Sequence, residues 1–254
     1  TTNSVLSYVD HKAIEEDAPA VEIFEIPQLV SAGTIESLSQ LPSFLYLPHP
    51  DELRSEDKVL PWDGHPSQIT GEFARQLGTK TPARLVASAK SWLSHEKINR
   101  REGFLPLNAP EGVTAISPLD ASKAYLDHIR KAWNQRFPES PLERQDLVIT
   151  VPASFDPGAR ELTLEAANRL GLDQAVMLEE PQAAFYSWIQ SSQGEWRNQV
   201  RSGEVVLVVD VGGGTTDFSL ISVSEEAGNL VLDRVAIGDH ILLGGDNMDL
   251  ALAF

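Results

Sequence analysis

Residues 205–218 read VVLVVDVGGGTTDF, and no other stretch restricts the possible folds of this chain as strongly. Val205–Val209 is a short continuous apolar run, the pattern of a buried strand. The glycines are followed by TTDFSLISV, rich in β-branched and aromatic residues and too short for a helix. A dinucleotide-binding loop or a Walker loop opens a helix at this point, whereas this one opens a strand. The spacing therefore predicts a β-hairpin with Gly212, Gly213 and Gly214 at its tip. Glycines there accept φ > 0 and let an anion reach backbone N–H groups, with the hydroxyls of Thr215 and Thr216 beside them. Asp210 and Asp217 bracket the tip and suit a magnesium ion held through water. A nucleotide phosphate, a metal ion and an ordinary tight turn all remain open on this segment alone, although three glycines exceed what a hairpin turn needs.

The totals remove several classes. With 254 residues the chain is long enough for one large domain or two small ones. A formal net charge of −17 argues against a nucleic-acid surface, which needs a basic footprint. There is no cysteine, hence neither a disulfide framework nor a thiolate metal site. No apolar run approaches the roughly 20 residues of a membrane span, and no secretory signal opens the sequence. A cytoplasmic protein acting without membrane or nucleic acid is expected. The six histidines show no metal-ligand spacing and are expected at the surface.

The chain opens TTNSVLSYV, and residues 215–223 read TTDFSLISV, sharing Thr, Thr, Leu and Val with Asn3 matching Asp217. Two such outgoing strands are what a duplicated domain gripping one nucleotide from two sides would contain. The first copy lacks an incoming strand and glycines, so the chain reads as cut into at its front. Between the copies, 20–26 (AVEIFEI) and 42–48 (PSFLYLP) are strand-like, 49–64 is a proline- and charge-rich loop, and 96–116 is irregular. Thr81-Pro82 and Ser117-Pro118 signal helix starts for 81–95 and 118–137. From 147 the order becomes strand (LVITV), helix capped by Asp156-Pro157 and closed by Gly171, strand (AVML) and helix (EEPQAAFYSWI). The hairpin, a third strand (LVLDRVAIG) and a helix from Asp246 follow. Tryptophans 92, 133 and 188 fall on predicted helices and are expected in the core.

Four segments, LVITVPASFDPGARELTLEAANRLGL, LEEPQAAF, VVLVVDVGGGTTDFSL and LLGGDNMDLAL, resemble successive motifs of the nucleotide-binding domain of the DnaK-like seventy-kilodalton heat-shock chaperones. TTNS resembles the tail of that family's first phosphate loop. The likeness is strongest over 147–254 and thinner between 10 and 115. It implies an α/β, actin-like ATPase fold made of duplicated ribonuclease-H-like halves and incomplete at both ends. Residues 1–190 would form a first lobe, with an inserted subdomain around 27–116, and 191–254 the start of a second. Thr1 and Thr2 would meet the phosphates from one side, and Gly212, Gly213, Gly214, Thr215 and Thr216 from the other. Asp210 and Asp217 would arrange magnesium and its waters, with Glu180 beside the metal. Lys90 would steady the γ-phosphate and the attacking water. Pro152 and Arg160 would relay the nucleotide state towards a partner domain. Glu179 stands where the family has Asn, and Ser91 where it has Arg.

The activity implied is magnesium-dependent ATP hydrolysis by a chaperone. ATP or ADP with Mg would be the cofactors. Client polypeptides, a co-chaperone and a nucleotide-exchange factor would be the partners, the clients bound by a domain outside these residues. A sugar-kinase-type phosphotransferase, an actin-like filament protein and a nucleotide-binding module without turnover are the alternatives. By themselves these 254 residues are expected to bind ATP weakly and to hydrolyse it negligibly, since the adenosine-gripping segments of the family lie beyond Phe254.

Overall fold

The structure is a computed structural model that describes residues 2–10, 20–95, 97–192, 194–226, 229–238, 241 and 243–253. The chain divides into two compact units: Thr1–Leu147 with Glu161–Gln174, and Val148–Arg160 with Ala175–Phe254.

The first unit is built from short strands on helices. In order come β1 (Asn3–Ser4), β2 (Ser7–Tyr8), β3 (Glu22–Ile23), β4 (Ile26–Ser31), β5 (Thr34–Leu38), β6 (Leu41–Pro42), β7 (Leu45–Tyr46), β8 (Ile69–Thr70), α1 (Glu72–Lys80), β9 (Leu85–Val86), α2 (Ala89–Leu93) and α3 (Pro118–Arg136). β4 and β5 form an antiparallel hairpin, β7 lies between β8 and β9, β1 pairs with β6, and β2 pairs with β3. The opening segment is thus two two-residue strands with different partners, whereas the later segment that it matches runs as one long strand.

The expected helix over 81–95 is replaced by a single 3₁₀ turn at Pro82–Arg84, then β9, then the five-residue α2. Leu85 and Val86 are drawn into an antiparallel pairing with Tyr46 and Leu45, and Val86 is fully buried there. That burial outweighs the local helix signal of Thr81-Pro82. The helix the sequence reading missed is α1, which sets Phe73, Ala74 and Leu77 on one face against Leu29, Tyr46 and Ile69. Its start is fixed by Gly71 at φ +91, where the Glu72 N–H donates to Gln28 Oε1 at 3.0 Å. A Cβ on Gly71 would lie 2.5 Å from that oxygen, so only glycine fits the turn.

α3 begins as read: Ser117 Oγ accepts from the Asp120 N–H at 3.0 Å, with Pro118 in the first turn. Trp133 is buried with Phe24 and packs its ring on Tyr8 and Phe137. Trp92 packs on the cluster of Leu45, Val86, Ala89, Leu105 and Tyr125. His128 corrects the expectation that every histidine is superficial. It is buried on the inner face of α3, with Nε2 2.9 Å from Pro27 O and its ring edge-on to Trp62. Desolvation lowers its pKa from 6.5 to about 4, so the ring is neutral and donates its Nε2–H to that carbonyl.

The second unit contains β10 (Val148–Val151), β11 (Val176–Glu179), α5 (Glu180–Ser191), α6 (Trp196–Gln199), β12 (Val205–Val211), β13 (Thr216–Glu226), β14 (Asn229–Ile237) and α7 (Gly245–Ala253). β10 and β11 pair in parallel, and α4 (Pro157–Asn168) connects them in the chain. Asp156 Oδ1 accepts from the Ala159 N–H at 2.5 Å, and Gly171 at φ +76 ends that segment, as the sequence predicts. β12, β13 and β14 form a separate antiparallel meander. The face carrying Val206, Val208, Ile221, Val223 and Leu232 packs on Phe185, Trp188 and Ile189 of α5. Alternation along β12 and β13 settles which side chains share that face, and Asp210 and Asp217 fall on it with the apolar set.

Candidate functional site

The hairpin predicted around the glycines is present: β12 and β13 pair from Val205 opposite Ser222 to Val211 opposite Thr216. The tip is closed by the Gly212 N–H donating to Thr215 O at 2.8 Å. A second glycine turn is pressed onto it, with the Gly245 N–H donating to Gly212 O at 2.9 Å. A Cβ on Gly244 would stand 2.4 Å from Gly212 O and 2.5 Å from Gly213 O, a distance no side chain can share with backbone. Gly244-Gly245 and Gly212-Gly213, distant in sequence, therefore form one bare-backbone cradle.

α7 begins in this cradle. Gly244 O accepts from the Met248 N–H at 3.2 Å, and Asn247 Oδ1 accepts from the Gly244 N–H at 3.0 Å, the reciprocal half of a capping box. The positive end of the helix dipole accordingly lies at the glycines, where it favours negative charge. Thr216 is partly committed to architecture: its hydroxyl donates to Leu243 O and its N–H to Ile241 O, both at 2.9 Å.

Asp210 and Asp217 are directly opposite one another in the β12–β13 register, each one position inside the end of its strand. Asp217 is buried, and Asp210 is partly so. Like charges placed directly opposite on one sheet face repel, and a cation beside them offsets the repulsion. Among the described residues no cluster of three or more His, Cys, Asp or Glu forms a protein cage for a metal. A pair of carboxylates beside an anion cradle is the donor set of a magnesium ion that keeps most of its ligands as waters and phosphate oxygens. The residues present fit Mg with a nucleotide phosphate.

The other residues singled out in the sequence are placed as follows. Glu180 is the first residue of α5, following β11 directly, with Pro181 in the first turn. Pro152 is buried at the exit of β10, its carbonyl accepting from the Phe155 N–H at 3.2 Å. Arg160 staples the turn that follows, donating from Nε to Phe155 O at 3.1 Å and from Nη2 to Ala153 O at 3.2 Å. Lys90 is half-buried in α2, and Thr2 precedes β1, its carbonyl accepting from the Ser43 N–H; both belong to the first unit. Thr1 lies outside the described residues. Within the second unit the fold brings together Gly212, Thr215, Thr216, Asp210 and Asp217, and adds Gly244 and Gly245.

Two residues of this region carry contacts to which the sequence assigned no role. Glu179 Oε1 accepts from Arg160 Nη2 at 2.9 Å and from Arg234 Nη1 of β14 in a shorter contact. Arg234 Nη1 also reaches Ala153 O at 3.4 Å. The signal for Glu179 was its departure from the Asn expected there. The signal for Arg234 was a cation inside the apolar run LVLDRVAIG.

The family model described as Hsp70 protein matches residues 66–253. The chain is similar to the chaperone protein HscA of Xenorhabdus nematophila, 30% identical over 234 residues that cover 89% of this chain and 34% of that protein. Against HscA of Proteus mirabilis the identity is 29% over 233 residues, covering 88% and 34%. A heat shock protein 70 homolog of Acanthamoeba polyphaga mimivirus is 28% identical over 195 residues, covering 74% and 20%. The chain thus spans about a third, or less, of the length of these curated relatives. With three quarters of its length matched by the family model, the chain belongs to the Hsp70 protein family, and with it to the actin-like ATPase fold.

Proposed function

We propose that this chain is the nucleotide-binding part of a heat-shock-type chaperone that binds and hydrolyses Mg·ATP. The observation that carries the reading is the cradle in which Gly212 and Gly213 meet Gly244 at distances that exclude any side chain, next to the opposed Asp210 and Asp217. Phosphoryl transfer asks a protein mainly for positioning and charge stabilisation, which backbone amides, hydroxyls and a cation provide without a covalent nucleophile. When bound, Mg neutralises charge developing on the phosphate oxygens.

The chain's own residues then divide the work. The backbone of Gly212–Gly214 with Thr215 and Thr216 holds phosphate oxygens, Thr1 and Thr2 meet them from the first lobe, and Asp210 and Asp217 accept hydrogen bonds from the waters of the metal. Glu180 orients further water at the metal, and Lys90 holds the γ-phosphate and the attacking water. Pro152 and Arg160 report the nucleotide state towards the partner domain. In this reading residues 1–190, with the insertion around 27–116, and residues 191–254 belong to two lobes of a duplicated ribonuclease-H-like fold. ATP and ADP are its ligands, client polypeptides and co-chaperones its partners, and the cytoplasm its location; no described helix is long and apolar enough to cross a membrane.

Phosphate release by the full-length protein, with and without an unfolded peptide and with candidate sugars, tests the reading. Slow Mg-dependent ATP hydrolysis accelerated by peptide is the expected result. Acceleration by a sugar with phosphate appearing on it, or ATP-dependent filament growth in light scattering, would replace it with a kinase or an actin relative.

A further inference from the structure

The second unit contains two sheets, β10–β11 and β12–β13–β14, and no strand pairing joins them among the described residues. Residues assigned to the site above lie on both: Glu180 follows β11, while Asp210 and Asp217 lie on β12 and β13. Something must fix one set against the other. We propose that Glu179, Arg160 and Arg234 form a positioning clamp that sets the β11–α5 turn, and with it Glu180, against the glycine hairpin. This rests on the reading of the site as one for Mg·nucleotide.

The geometry is specific. Glu179 ends β11 and occupies the N-cap position of α5, yet its carboxylate does not cap that helix. It is turned aside so that Oε1 accepts from both guanidiniums, Arg160 at the start of α4 and Arg234 in the middle of β14. Both arginines also donate to Ala153 O at the exit of β10. One carboxylate and one carbonyl therefore gather the ends of β10 and β11, the start of α4, and β14. Glu179 Oε2 is buried with no hydrogen-bond partner, so half of this carboxylate is desolvated without return. A group placed at that cost is held there by the two cations on its other oxygen. Their donors are planar forks, which fix direction as well as distance. A second tie, Gln182 Nε2 to Leu232 O at 3.1 Å, joins the first turn of α5 to the same strand β14. Glu180 and Pro181 lie between the two ties, so their backbone is anchored on both sides.

The test uses the full-length protein with Arg234→Met, which leaves the Glu179–Arg160 pair intact, and with Arg169→Met, an ion-paired arginine outside the clamp, as control. Two quantities are measured: amide exchange across 176–182, and ATP affinity with Mg and in EDTA. The clamp predicts that exchange across 176–182 rises about tenfold or more in Arg234→Met and is unaltered in Arg169→Met. It also predicts that the gain in ATP affinity on adding Mg falls about tenfold while affinity in EDTA is unchanged, which a merely structural role would not produce. Wild-type exchange across 176–182 in Arg234→Met, or equal losses with and without Mg, would overturn the proposal. If Arg234→Met does not fold, Arg234→Lys keeps the charge but loses the fork, and the same two outcomes decide. A wild-type protein whose ATP affinity ignores Mg would sink the nucleotide reading and the functional half of the proposal, while the exchange comparison would still decide whether the clamp exists.

Discussion

At the scale of single residues, the glycines of this site are defined by what cannot be added to them. A Cβ on Gly244 would collide with two carbonyl oxygens of the facing turn, and neither is the end of a flexible side chain that can move aside. Gly244→Ala should therefore push the two turns apart at a cost of about 1–3 kcal/mol. In the full-length protein it should weaken ATP binding more than tenfold, read by isothermal titration. Gly64→Ala, where the added Cβ meets nothing within 4 Å, is the control and should bind as wild type does. Thr215 follows the glycines, and Thr215→Ala should slow hydrolysis about tenfold, equivalent to about 1.4 kcal/mol of transition-state stabilisation, without lowering the melting temperature. Unchanged turnover at saturating ATP would remove its hydroxyl from the mechanism. Lys90→Ala should weaken ATP far more than ADP, because ADP lacks the group Lys90 is proposed to hold. Equal losses for the two nucleotides would return Lys90 to an ordinary half-buried helix lysine.

At the scale of elements, the legible helices were those with caps. Ser117 and Asp156 each satisfy an N–H three residues ahead, and both starts were visible as Ser-Pro and Asp-Pro. Ser117→Ala should cost about 1 kcal/mol, seen as a lower urea midpoint with an unchanged m-value. Thr81-Pro82 carries a similar signal and starts no helix longer than one 3₁₀ turn. The residues that follow are Leu85 and the β-branched Val86, whose apolar side chains find a better place beside Tyr46 and Leu45. α1 was invisible for the opposite reason. Its start uses no capping side chain of its own, but a glycine at positive φ and the amide oxygen of Gln28, 44 residues earlier.

At the scale of the whole molecule, acidity is built into the fold through His128. Burial keeps its imidazole neutral down to about pH 4, whereas in the unfolded chain it protonates near its ordinary 6.5. Between those two values the unfolded state binds a proton that the native state does not, so stability falls as pH falls through that window. The slope is about 1.4 kcal/mol per pH unit, summing to about 3 kcal/mol. Asp127 and Glu143 act in the same direction at lower pH. Burial raises their pKa values, but hydrogen bonds from Arg130, joined by Lys131 and Asn134 respectively, outweigh it and hold both below the ordinary carboxylate values. Urea unfolding of wild type and His128→Gln at pH 7 and pH 4.5, followed by the fluorescence of the adjacent Trp62, separates the contributions. The wild type should lose more stability than the variant over that interval. Parallel losses would show that the imidazole is not the acid-sensitive group.

The residues themselves determined the hairpin, since five apolar residues before three glycines and a β-branched run after them leave no room for a helix. They also determined the ends of α3 and α4, because a cap is a contact between residues three apart. The four motifs that placed the chain near its family are likewise local. Tertiary structure alone decided the rest. Whether Gly244-Gly245 closes on Gly212-Gly213 depends on two backbones far apart in sequence meeting, and whether 81–95 is helix or strand depends on Leu45. The Glu179 clamp joins positions 160, 179 and 234, whose charges look like surface charges until the chain brings both arginines to the Glu179 carboxylate and to Ala153 O. Local contacts are written in spacing, whereas burial and long-range pairing come from which surfaces meet, and spacing does not record that.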